Sequence, residues 1–380
     1  MYILKTIISY ITAFIVTLQS MAALPVFSTN FKFEAEASVF ETGDGMYTLI
    51  WSTTRPGSGF VTYTYDGRDY TVYDEIGGVV QSLDTIHSVR VPKQHLDHNT
   101  YTYHSQLVVQ KEAYSAVTGK TIDSDPVDFG GYSGEEAINA LVIADVHNRP
   151  LPAKMAADNF EKPSFLILNG DITSSMVKKN DFINILKYTY LFSEGKIPVA
   201  YARGNHEPRG EFAAEMPDYF RISTGGMYYT FNYGPLWAVV LDSGEDKEDS
   251  HPEYSGLVNF RPYIARETGW LSNVKADTDA EYRIAIVHKP SMDDLDGENW
   301  FGMLSDLGIE AALSGHLHRL DLHYYEGSTP YYRFVTGPEE GYDMTATMFT
   351  FSTGNIRAKT YNWAGISLAD ENFPIPRPAQ

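Results

Sequence analysis

Apolar and polar positions alternate with a period of two through the first third of the chain. FVTYTYDGRDYTVY (60–73) alternates on both sides of Asp66-Gly67, a dipeptide that favours a tight hairpin turn. MYTLIWSTT (46–54) and HSVRVP (87–92) read as further strands, and turn residues recur at short intervals. Between about Phe31 and Val127 no helical period lasts more than a few residues. About seven short strands in about 100 residues predict a β-sandwich.

The texture changes after Gly130-Gly131. INALVIAD (138–145), FLILNGD (165–171), IPVAYARGN (197–205), LWAVVLDSG (236–244), YRIAIVHKP (282–290) and IEAALSGHLH (309–318) are apolar runs, each ending in glycine or polar residues. Amphipathic helical stretches lie between several of them, at 151–160, 177–192 and 261–274. Near-continuous apolar strands alternating with such helices predict an α/β (α+β) domain covered on both faces. The chain returns to strands at 346–363 and ends in the Pro-rich PIPRPAQ. The predicted organisation is a β-sandwich over 24–130, an α/β domain over 136–365 and an extended tail over 366–380.

Composition narrows the class. The 380 residues allow two domains and a large core, and 43% hydrophobic against 21% charged residues excludes a disordered chain. A net charge of −20 argues against a general binder of nucleic-acid backbones, which needs a basic stripe. A small phosphorylated substrate stays open, because bound metal ions can reverse the field inside a cleft. The N-terminus has one basic residue, Lys5, then an apolar run from Ile7 to Leu18, then Ser20, Ala22 and Ala23. That order reads as a secretory signal peptide over 1–22, cleaved after Ala22 or Ala23. The run is short of the roughly 20 apolar residues a membrane span needs, and no later segment looks transmembrane. The signal-peptide pattern implies an exported protein, periplasmic, cell-surface or secreted in a bacterial envelope, and with no cysteine it must be held together by core packing alone. Any metal site is confined to His, Asp, Glu and Asn ligands.

Five strand ends carry such residues: Asp145-Val146-His147, Gly170-Asp171, Gly204-Asn205-His206-Glu207, His288, and Gly315-His316-Leu317-His318. In open α/β sheets ligands bind beyond the carboxyl ends of the strands. Asp145 and His147, like His316 and His318, are two apart, so extended backbone would point both members of a pair the same way. Each block alone also fits a polar surface turn. All five in this order, each after an apolar run, point to one shared site.

The order Asp-x-His, Gly-Asp, Gly-Asn-His-Glu, His, Gly-His-x-His is similar to the calcineurin-like metallophosphoesterase superfamily over roughly 136–365. An N-terminal sandwich in front of it resembles the layout of purple acid phosphatases. Trp51 and LDHNTYTYHSQLVV (96–109), with Tyr101 and Tyr103, resemble the core Trp and tyrosine corner of a fibronectin type III domain. The resemblance implies a four-layer αββα catalytic domain and two divalent transition-metal ions (Mn, Fe or Zn). Asp145, His147 and His318 would hold the first ion, Asn205, His288 and His316 the second, and Asp171 would bridge them. His206 would not be a ligand; it would contact the phosphate and assist the leaving group. The implied reaction is hydrolysis of a phosphomonoester or phosphodiester by in-line attack of a metal-bridging water.

The chain departs from the purple acid phosphatases at two places. They carry a Tyr three residues after the bridging Asp, where this chain has Ser174, and their first block is Asp-x-Gly, where this chain has His147. His147 takes the ligand place that the Tyr leaves, so no tyrosinate-to-iron colour is expected. Asn148 and Arg149 read either as substrate contacts or as solvated loop. Arg203 and Glu207 read as supports of neighbouring ligands, and the acidic stretch 243–256, with His251, as a loop over the rim of the site. The competing function is a surface binding protein with a vestigial phosphoesterase domain, against which the intact ligand blocks argue.

Overall fold

The computed structural model describes residues 30–290, 299–324, 327, 329–338 and 343–375. The apolar N-terminal run with its cleavage site and the last residues of the Pro-rich tail lie outside the described residues.

The strand-rich N-terminal region contains β1 (Phe33–Glu41), β2 (Met46–Tyr65), β3 (Arg68–Tyr73), β4 (Glu75–Ile76), β5 (Val79–Val80), β6 (Asp84–Pro92), β7 (Thr100–Lys111), β8 (Ala116–Asp123) and β9 (Val127–Asp128), with one short helix, α1 (Lys93–Leu96). β2 serves two layers. Its residues 47–53 pair with β1 and its residues 57–63 with β7, with a register break before Gly57. Pro56 lies at the break, where a residue without an N–H cannot continue a ladder. The β2–β3 hairpin turns at Asp66 (φ 49°) and Gly67 (φ 69°), both left-handed as a two-residue hairpin turn requires. The layers enclose Val39, Leu49, Trp51, Val61, Val89, Tyr101 and Tyr103. Buried Trp51 donates from Nε1 to Ser105 Oγ at 2.9 Å, which satisfies its one polar atom.

The second region follows with β10 (Ile138–Ile143), α2 (Pro150–Ala157), β11 (Phe165–Asn169), α3 (Lys179–Ser193), β12 (Pro198–Ala202), α4 (Met216–Phe220), β13 (Tyr229–Tyr233), β14 (Leu236–Leu241), α5 (Phe260–Leu271), β15 (Tyr282–Val287), α6 (Trp300–Asp306), β16 (Ala311–Ser314), β17 (Tyr332–Val335), β18 (Thr345–Ser352), β19 (Asn355–Asn362) and β20 (Ser367–Pro374). Two sheets pack face to face. One runs β20-β19-β18-β10-β11-β12 and the other β13-β14-β15-β16-β17. Alternation along β14 and β15 shows why. Leu236, Ala238, Val240, Ile284 and Ile286 join the core between the sheets, while Trp237, Val239, Leu241, Ala285 and Val287 meet α5 and α6 on the outer face. α2 and α3 cover the outer face of the first sheet, giving helix, sheet, sheet, helix. Each fully buried Leu, Ile or Phe contributes roughly 1.5–3 kcal/mol, so a core of this extent can dispense with disulfides.

Two features of the architecture have no counterpart in the sequence pattern. β1 pairs in parallel with β12 (Val39↔Pro198, Phe40↔Val199), so the N-terminal strands continue the first of these two sheets. The Tyr101 hydroxyl donates to Gly195 O at 2.9 Å, across to the segment after α3, whereas a tyrosine corner bonds to backbone close upstream. The tail stretch 367–374 is extended as β20, paired with β19.

Candidate metal centre

All five blocks leave their strands on one edge of the paired sheets, after β10, β11, β12, β15 and β16. The expectation that Asp145/His147 and His316/His318 project together from extended backbone is wrong. Asp145 (φ 54°), His147 (45°), Asp171 (54°), His316 (71°) and His318 (47°) are all left-handed. These side chains are aimed by tight turns, a conformation that costs non-glycine residues energy and persists where the surroundings enforce it. Backbone N–H groups bonded across the loops supply that enforcement: Asp145 N donates to Gly170 O (3.0 Å), His147 N to Asp171 O (2.9 Å) and His316 N to the Asp145 carboxylate Oδ2 (3.0 Å).

Glu207 is the hub. Its buried carboxylate accepts four backbone N–H groups: Asp171 (3.0 Å), Ile172 (2.7 Å), Thr173 (3.2 Å) and Gly204 (2.9 Å). One side chain thus ties the Gly-Asp turn to the Gly-Asn-His turn. Gly204 has no room for a side chain, since a Cβ there would collide with Asp171 Oδ1 and the Asp171 backbone nitrogen. Arg203 pairs with buried Asp242 at 2.6 Å.

Donor atoms converge in sets. Asp145, His147 and His318 form one; Asp171, His288 and His316 form another; His147, Asp171 and His206 form a third that shares members with both. Asn205 Oδ1 joins the second set, 3.0 Å from His316 Nδ1. Other separations are 3.1 Å for His147 Nε2–His318 Nε2, 3.3 Å for His318 Nε2–Asp145 Oδ1 and 3.2 Å for His288 Nε2–Asp171 Oδ2. Metal bonds of about 2.1 Å place adjacent ligand atoms roughly 3.0–3.4 Å apart, and these spacings fall in that range.

Hydrogen bonding agrees. His288 Nδ1 faces Asn169 O at 2.7 Å; the carbonyl only accepts, so Nδ1 carries the proton. Nε2 is then left buried with no hydrogen-bond partner among the described residues, pointing at Asp171. Burial opposes charge on this ring, but Asp171 and Asp145 overcome it and push the imidazole up to about 10. Burial likewise opposes ionisation of Asp171, and the histidines beside it hold its carboxyl below the usual range. His147, dominated by burial, falls to about 4, which keeps a neutral, metal-competent imidazole. Without an ion, the carboxylates beside His288 favour a proton on Nε2, 3.2 Å from Asp171 Oδ2; a bound cation would take that proton's place.

Asp246 is a residue that the sequence pattern did not single out. Its Oδ2 accepts Asn205 Nδ2 at 2.9 Å and its Oδ1 lies 3.5 Å from His316 Nε2. A carboxylate accepts only, so the Asn205 amide nitrogen is fixed toward Asp246 and its oxygen toward His316 Nδ1. The acidic rim loop was visible as a charge run; which of its carboxylates turns inward was not.

Residues 138–320 match the calcineurin-like phosphoesterase family. They are a calcineurin-like phosphoesterase domain. The chain is also similar to purple acid phosphatase PPD1 from yellow lupin (Lupinus luteus) seeds, with 12% identity and a TM-score of 0.59 over 89% of this chain and 74% of that one. At that identity the likeness is one of fold. Vacuolar protein sorting 29 from Cryptosporidium parvum (11% identity, TM-score 0.35, 63% of this chain and 100% of that one) and a 5′-nucleotidase precursor from Thermus thermophilus (12%, 0.30, 63% and 54%) are more distant in shape. No curated protein matches. The phosphoesterase domain makes this chain a metal-dependent phosphoester hydrolase. Its predicted ligand residues stand together at the strand ends. Asn148 is exposed beside them, whereas His251 caps a short turn through Glu253 N, within the rim loop. Among the described residues no helix is long and apolar enough to cross a membrane.

Proposed function

We propose that this chain is an exported phosphohydrolase with a dinuclear centre, cleaving small phosphomonoesters or phosphodiesters. The observation that carries the reading is the pair Asn205 Oδ1 and His316 Nδ1, 3.0 Å apart with the amide oriented by Asp246, together with buried His288 Nε2 directed at Asp171 Oδ2 at 3.2 Å. Asp145, His147 and His318 would hold one ion, Asn205, His288 and His316 the other, and Asp171 both. Two such divalent ions, when bound, supply Lewis acidity and a water nucleophile at neutral pH for in-line displacement.

The chain's own residues do the rest. Two carboxylates, Asp145 and Asp171, against two divalent cations leave an excess of about two positive charges, which draws an anionic ester into an otherwise acidic protein. Glu207 keeps the turns rigid, so little reorganisation is needed as charge develops. His206 lies at the mouth with Nε2 3.8 Å from Asp171 Oδ2, and assists the leaving group there. Export is supported by the Lys5–Ala23 pattern.

The test is reconstitution with Mn, Zn and Fe separately, followed by turnover of an aryl phosphate and a bis-aryl phosphate. Asp171→Asn is expected to lose nearly all activity and His206→Ala to lose roughly 10²-fold or more in kcat. Metal-loaded protein that hydrolyses neither ester would refute the reading. N-terminal sequencing of exported protein tests cleavage after Ala22 or Ala23.

A further inference from the structure

Arg209 lies three residues beyond His206 and belongs to none of the ligand sets. Its Nε and Nη2 donate to the Glu245 carboxylate at 2.9 and 2.8 Å, and Nη2 also reaches Asp246 Oδ2 at 3.3 Å. Glu245 is a firm anchor: it is buried, Tyr254 donates to it at 3.1 Å, and the Lys289 ammonium holds its backbone carbonyl. The two-pronged contact fixes the plane of the guanidinium.

The other arm, Nη1, lies 2.9 Å from His206 Nε2. The far side of that ring settles the tautomer. His206 Nδ1 faces Ser174 O at 3.0 Å, and a carbonyl only accepts, so Nδ1 carries the proton. Arginine only donates, so Nε2 is the acceptor. In this arrangement His206 has no N–H to offer an incoming phosphate. Arg209 does. Of its five N–H groups, those on Nε and Nη2 go to Glu245 and Asp246 and one on Nη1 goes to His206. The second on Nη1 is without an acceptor among the described residues.

We propose that Arg209 is a substrate-contacting residue of the phosphoesterase site: its free Nη1 N–H binds an oxygen of the phosphate ester, and His206 aims that arm through Nε2. Resting on the phosphohydrolase reading, this makes His206 a positioning residue whose help to the leaving group passes through the guanidinium. Ser174 acquires a part as well, since its carbonyl sets the tautomer.

The experiment uses Mn-loaded full chain: wild type, Arg209→Ala, Arg209→Lys, His206→Ala and the double alanine variant. Metal content, inorganic phosphate binding by calorimetry, and kcat and KM on aryl phosphates of graded leaving-group pKa are measured. Arg209→Ala is expected to keep wild-type metal content, to bind phosphate roughly 10-fold or more weakly, and to lose roughly 10²-fold in kcat/KM. Arg209→Lys should lose nearly as much, because an ammonium cannot grip Glu245 and reach forward together; it decides the matter if the alanine variant does not fold. The double variant should lose no more than the worse single one. Phosphate affinity and turnover within about threefold of wild type in Arg209→Ala, or losses that multiply in the double variant, would overturn the assignment. If wild type turns nothing over but binds phosphate, and Arg209→Ala does not, hydrolysis falls and the arginine contact stands. A wild type that binds no phosphate removes both.

Discussion

The Asp246 carboxylate takes the amide N–H of Asn205 at 2.9 Å and thereby decides which end of that amide faces His316. Without Asp246 the amide can flip and offer an NH2 group where an oxygen donor is required. Asp246→Ala is therefore expected to weaken binding of one of two ions by roughly 10–100-fold. Metal titration followed by elemental analysis reads this directly; unchanged affinity for both ions would refute the orienting role.

Glu207→Gln keeps the size of the hub but turns one acceptor oxygen into a donor. N–H groups among Asp171, Ile172, Thr173 and Gly204 then face an NH2, at a cost of roughly 1–3 kcal/mol for each opposed donor. Urea unfolding should show the loss in the metal-free protein, and metal stoichiometry should fall too. A variant as stable as wild type would mean that the turns hold themselves.

His87 gives the N-terminal region an acid-sensitive point outside the metal centre. Burial lowers its imidazole from 6.5 to about 4. The folded state prefers the neutral ring, so this stabilisation is complete above about pH 6.5 and is lost as pH falls toward 4, amounting to about 3 kcal/mol. Urea midpoints measured from pH 4 to 7 should therefore rise with pH more steeply in wild type than in His87→Asn. Equal slopes would show that His87 does not titrate in this window.

Tyr101→Phe removes the hydroxyl that reaches the buried Gly195 carbonyl. The carbonyl loses its bond, and a stability loss of roughly 1–3 kcal/mol is expected with no change in metal content. A reduced metal content would mean that docking of the N-terminal strands shapes the centre itself.

Much of the catalytic domain was legible because its strands are buried on both faces and read as apolar runs. The helices predicted at 151–160, 177–192 and 261–274 form as Pro150–Ala157, Lys179–Ser193 and Phe260–Leu271. Short elements such as Met216–Phe220 and Tyr332–Val335 carry too few residues to show a period. Asp66-Gly67 announced its hairpin through turn chemistry, which is local. The β1–β12 pairing has no such signal, since Val39 and Pro198 meet only when the two regions dock.

For the site, the sequence by itself determined which residue types stand at the candidate ligand positions, because residues with suitable donor atoms recur at the ends of the apolar strands. It did not determine how they are aimed. Left-handed backbone at Asp145, His147, Asp171, His316 and His318 replaced the extended geometry that their spacing implied. The support is also tertiary: Glu207 gathers backbone from two turns, Asp246 orients Asn205, and Glu245 holds Arg209 beside His206. Each is a hydrogen bond between segments distant along the chain or between backbone and side chain. Its direction depends on which donor lies opposite which acceptor after folding. Residue type is written along the chain; orientation is set only where the segments meet.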